Sequence, residues 1–140
     1  MNERSVVRGL FFVNGGAFFG LAILTGLMII GAVVYSSSAL DTSEAAVVAG
    51  IGVVFGGVFV VGNTVVGAAQ WMAMRRIVDA RFQGLPVAAA FGGLAWSGVA
   101  AVANMVVTGP CLCVYLVPLI TSSMTMMAYV ATREGGIDGR

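Results

Sequence analysis

A chain of 140 residues that is 59% hydrophobic and only 9% charged lies far from soluble-domain composition, which runs about 45–50% apolar and about 25% charged. A net charge of +1 argues against the concentrated basic face that nucleic-acid binding requires, and the lack of histidine removes the commonest general base and the commonest haem, zinc or copper ligand. The composition points to an all-α, polytopic membrane protein built as one domain over residues 1–140, with no soluble part, no cofactor and no catalytic machinery.

The first apolar stretch, 10–34, is much longer than the roughly 7–15 residues of a signal-peptide core. It therefore reads as an uncleaved transmembrane helix, although Ser37-Ser38-Ala39 has the small residues of a cleavage site. Residues 35–44, with three consecutive serines and Asp41, read as a polar outer loop. Thr42 or Ser43 is the expected N-cap of the next helix, with Glu44 near its positive end. The second span covers 47–72, and an inner loop with Arg75, Arg76, Asp79 and Arg81 follows. Both spans exceed the roughly 20 residues that cross ~30 Å of hydrocarbon.

Pro86, at home in a first helical turn, introduces the third span, 87–107. Thr108-Gly109-Pro110 forms a tight outer turn before the fourth span, 111–131, in which Pro118 is expected to produce a kink. The glycine-rich, charged tail 133–140 is expected to fray. Phe55-Gly56-Gly57 recurs as Phe91-Gly92-Gly93, but no single alignment extends the match, so the chain is not read as a duplication.

Charge sets the expected orientation. Arg4 and Arg8 precede the first span, Arg75, Arg76 and Arg81 lie between the second and third, and Arg133 and Arg140 follow the fourth. The two other connections carry no positive charge. Short arginine-bearing loops stay cytoplasmic, which predicts an antiparallel four-helix bundle with both termini inside. The exclusive use of arginine over lysine, with abundant Gly, Ala and Val, suggests a GC-rich genome and a bacterial cytoplasmic (inner) membrane.

Helical spacing collects small and polar residues into stripes. They are Gly16 and Gly20 on the first span, and Ala49, Gly52, Gly56, Asn63 and Gln70 on the second. The third carries Gly93, Ser97, Ala101 and Asn104, and the fourth Pro118, Thr121, Ser122 and Thr125. Lipid gives helices no hydrophobic reason to associate, so small residues that admit close approach and interhelical hydrogen bonds must do so. Gly16, Gly20, Gly52, Gly56, Gly93 and Ser97 are thus the expected packing positions. At 1.5 Å per residue Asn14 and Asn63 fall roughly 7–11 Å to the inner side of mid-membrane, with Ser122 and Thr125 near that depth. These four are expected to form one polar cluster, serving either as interhelical glue or as a solute-contacting wall.

Other features weigh less. Trp71 and Tyr129 at the inner boundary, and Tyr35 and Tyr115 at the outer one, read as belt residues, while Trp96 lies deeper and needs a partner for its N–H. Cys111 and Cys113 read as small apolar residues at a helix start. A Cu(I) path from them to the methionines is disfavoured, because the Met pairs cluster at the opposite ends of the spans. Arg75, Arg76 and Arg81 form a basic cluster suited to anionic lipid or a cytoplasmic partner. No ionisable residue Asp, Glu, Lys, Arg or His lies within any span, which argues against ion coupling and proton relay. Two functions remain: a structural or accessory subunit of a larger membrane complex, bound to other subunits or to copies of itself, and a small oligomeric channel or transporter for an uncharged or weakly polar solute.

Overall fold

A computed structural model of the chain describes residues 3–77, 84–108 and 113–134. They form four helices: α1 (Glu3–Ala39), α2 (Thr42–Arg76), α3 (Gly84–Thr108) and α4 (Cys113–Glu134). Each is long and apolar enough to cross a membrane. Arg81, Asp79, the Gly109-Pro110 turn, Cys111 and the tail beyond Glu134 lie outside the described residues.

The helices are longer than the apolar stretches, most of all at the first connection. Ser36, Ser37 and Ser38, expected in a loop, belong to α1. Their hydroxyls donate to the carbonyls of Val33, Val34 and Tyr35 at 3.0, 2.8 and 2.9 Å, so each polar side chain is satisfied by the helix it extends. The break narrows to Leu40 and Asp41. Asp41 is the N-cap of α2, displacing Thr42 and Ser43 from that role, and its side chain makes no capping bond. Pro118 lies within α4, which continues through it.

α1 packs against α2 and α4, and α3 against α2 and α4. The buried faces keep helical period: Val7, Phe11, Asn14, Phe18 and Leu21 on α1; Asn63, Gly67, Gln70 and Ala73 on α2; Ala89, Gly93, Ser97 and Ala100 on α3; Tyr115, Pro118, Ser122 and Thr125 on α4. One apolar cluster joins Val7, Phe11, Ala73, Ala89 and Ala90 near the arginine-bearing ends of α1 and α2. A second joins Leu21, Ala100 and Tyr115, with Phe59 against it.

At about 1.5 Å per residue, the 37 and 35 residues of α1 and α2 reach about 55 and 52 Å, against about 37 and 33 Å for the 25 and 22 residues of α3 and α4. The stretches 23–39 and 42–58 bury little besides a shared seam, where Ile29 meets the Cβ position of Gly56.

Candidate functional site

Glycine decides where the helices come closest. A Cβ built on Gly15 would lie 3.2 Å from the carbonyl oxygen of Gly67, and one on Gly67 would lie 3.2 Å from that of Gly15. Here α1 and α2 touch backbone to backbone. The gap also seats Trp71, whose Nε1 is 2.6 Å from the Gly15 Cβ position. Its indole stacks on Phe12 at 6.0 Å, packs on Phe19 at 4.7 Å and donates to the Phe12 carbonyl at 3.3 Å. Trp71 is 38% exposed, so one edge remains on the surface.

The expected packing glycines divide. Gly56 meets Ile29, and Gly93 meets Gln70, Ser122 and Asn14. At Gly16, Gly20 and Gly52 a Cβ would meet nothing within 4 Å, so within this chain they are not close contacts. Successive helical residues point about 100° apart, and Gly15, not Gly16, faces α2. Ser97 is fully buried and returns its hydroxyl to the Gly93 carbonyl at 2.7 Å, so it lines the contact without bridging helices.

The polar residues form two groups where one was expected. In the first, Asn14 Nδ2 donates to Ser122 Oγ at 3.1 Å, and Asn14 Oδ1 accepts from Thr121 Oγ1 at 2.8 Å and lies 3.3 Å from Ser122 Oγ. This ties α1 to α4. Thr125, though fully buried, donates to the Thr121 carbonyl of its own helix at 2.7 Å and does not join the group.

Asn63 belongs to the second group. Its Oδ1 accepts from Trp96 Nε1 at 2.8 Å, and its Nδ2 donates to the Tyr115 hydroxyl over a long 3.5 Å. Helices α2, α3 and α4 meet there, with Phe59 against both aromatic rings. Gly62 makes the approach feasible, because the Trp96 ring occupies the place its side chain would take. Tyr115, expected in the outer belt, is only 6% exposed and points inward to this amide.

Gln70, on the same α2 stripe as Asn63, makes a further link that the expected cluster does not include. It is fully buried, and its Nε2 donates to the Ala89 carbonyl at 2.6 Å across to α3. Small residues at 89, 90 and 93 leave room for its carboxamide.

At the arginine-bearing end, Arg8 Nε donates to the Met74 carbonyl at 3.4 Å, which brings Arg8 close to the last turn of α2, where Arg75 and Arg76 lie. That turn carries the negative end of the helix dipole. Among the described residues no group of three or more His, Cys, Asp or Glu could hold a metal. Comparison with protein-family models, curated proteins and solved structures finds no match.

Proposed function

We propose that this chain is a small non-catalytic protein of a bacterial cytoplasmic membrane, a structural or accessory subunit of a larger membrane complex. The observation that carries this reading is the state of the polar side chains. Asn14, Asn63, Ser122 and Thr125, the groups that could line a path, are fully buried; the first three spend hydrogen bonds on other helices of the same chain and Thr125 spends its own on the Thr121 carbonyl. Side chains used in this way join helices, whereas a conducting wall must offer its groups to a passing solute. The open surface at Gly16 and Gly20 suits close approach by a neighbouring subunit or a second copy.

The expected orientation is antiparallel with both termini cytoplasmic. It is supported by the arginine distribution and by the α1–α2 contacts, in which Gly15 meets Gly67 while Ile29 meets Gly56. Arg8, Arg75 and Arg76 would then lie among anionic headgroups. With Cys111→Ser and Cys113→Ser as background, Ser37→Cys should react with an impermeant maleimide in intact cells. Ser5→Cys should react only after lysis. Labelling of both from outside rules the orientation out.

The function is tested by purification in mild detergent alongside liposome assays of water, small neutral solutes and monovalent ions. The expected result is a co-purifying membrane protein and no flux. Asn63→Ala and Ser122→Ala should weaken assembly by about 0.6 kcal/mol each, the average for a hydrogen bond between membrane helices. Flux that depends on Asn63 would replace this reading with the channel one.

A further inference from the structure

Beside the α1–α2 seam lies an aromatic patch that the core does not use. Phe12, 56% exposed, stacks almost parallel on Trp71, 38% exposed, and Phe19 packs on the same indole. Phe12 and Phe19 are seven residues apart, so the patch runs about 10 Å along α1. The Trp71 N–H is spent on the Phe12 carbonyl, which leaves the rings an apolar surface.

Two exposed arginines stand at one end of this patch. Arg8 precedes Phe12 by four residues on α1, and Arg75 follows Trp71 by four on α2. Each arginine is thus about 6 Å along its helix from a ring on the same face. Because Phe12 and Trp71 stack, both arginines fall on one side of the seam. Arg8 Nε donates to the carbonyl of Met74, the residue before Arg75, and this bond holds its guanidinium across the seam. The remaining donors of Arg8 sit on the terminal nitrogens, in the fork that suits a phosphate.

We propose that this surface seats one anionic phospholipid, with its phosphate between Arg8 and Arg75 and one acyl chain along Phe12, Trp71 and Phe19. The occupant follows from an anion-binding pair set one helical turn from an open apolar strip, on helices long and apolar enough to cross a membrane. A phospholipid carries a phosphate directly beside hydrocarbon. Free phosphate makes no use of the rings, and a zwitterionic lipid brings an ammonium against the arginines. The seat needs this chain alone and does not rest on its being a subunit.

The test uses the purified chain in phosphatidylcholine vesicles with a minor share of phosphatidylglycerol, bromine being placed on the acyl chains of one lipid or the other. Bromine quenches an indole it touches, and the Trp71→Phe protein gives the share due to Trp96, the other tryptophan. At equal mole fraction, brominated phosphatidylglycerol should be preferred at Trp71 by about fivefold or more, the effect of one arginine near an anionic headgroup. Arg8→Gln with Arg75→Gln should bring the two lipids level. Arg133→Gln, at the same end of the bundle but on α4, should change nothing. Equal quenching of the unsubstituted chain by both lipids overturns the proposal. So does quenching by neither, which would assign the patch to protein contact. A preference reduced no more by the Arg8 and Arg75 pair than by Arg133→Gln also overturns it, since that result describes a diffuse layer of anionic lipid.

Discussion

Gly15→Leu is expected to abolish recovery of folded protein, while Gly16→Leu, one position along, leaves thermal stability nearly unchanged. At Gly15 the new side chain would enter the Trp71 indole and press on the Gly67 carbonyl, 3.2 Å from the Cβ alone. The indole has little freedom to retreat, because Phe12 and Phe19 hold its faces and the Phe12 carbonyl holds its N–H. The carbonyl is backbone and can withdraw only if α2 moves as a whole. Overpacking costs about 1–3 kcal/mol, occasionally more, and a clash with both a pinned ring and a backbone belongs at the upper end. Gly16 faces open space, so its change should stay within about 0.5 kcal/mol. Size-exclusion profiles and Tm in detergent check both. The pair also probes the subunit reading: Gly16→Leu with Gly20→Leu should keep Tm and lose the co-purifying partner. Equal tolerance at 15 and 16 would mean that the α1–α2 contact is wrongly described.

Gly93→Leu should be the second severe change, for a different reason. Its side chain would enter the meeting point of Gln70, Ser122 and Asn14 and drive the Gln70 amide from the Ala89 carbonyl. The cost combines overpacking of about 1–3 kcal/mol with bonds worth about 0.6 kcal/mol each. Gly92→Leu is the control, since a Cβ there meets nothing within 4 Å. A milder pair isolates the cause. Gly93→Ala alone should lower Tm, and adding Gln70→Ala should recover part of the loss by removing the group the new methyl strikes. Purely additive losses would show that the two residues do not compete for one space.

Much of this architecture is legible in the sequence because membrane helices announce themselves by length and apolarity. The buried polar positions follow from 3.6-residue spacing, which aligns Asn63 with Gln70 and Gly93 with Ser97. What spacing does not supply is the direction in which a stripe faces. Gly16 and Gly20 have the look of a contact motif, yet a smooth patch of helix says nothing about which surface is covered. Depth counted from the span ends fails as well: Gly15 meets Gly67 and Asn14 shares the Gly93 position with Gln70, so Asn63 lies roughly 10 Å along α2 from Asn14's level and turns to Trp96 and Tyr115. Tyr115 reads as a boundary residue by position, but its phenol is long enough to reach inward from a helix end. The serines at 36–38 read as loop by polarity because their hydroxyls, which bond to the turn before, leave no trace in composition.

The unequal helix lengths have a mechanical consequence. Among the described residues, both polar groups and both apolar clusters fasten α1 and α2 to the other pair up to Leu21 on α1 and back to Phe59 on α2. Beyond those points the hairpin is a cantilever: its root is clamped by side chains from α3 and α4, and its free arm is held by one seam. Deflection of such a beam grows toward the tip, and sparse buried contacts lower the local cost of distortion. Displacements should therefore be largest around Ser38 and Thr42 and smallest around Asn14 and Gln70, which makes the arm the compliant part of the molecule and the polar groups its anchor.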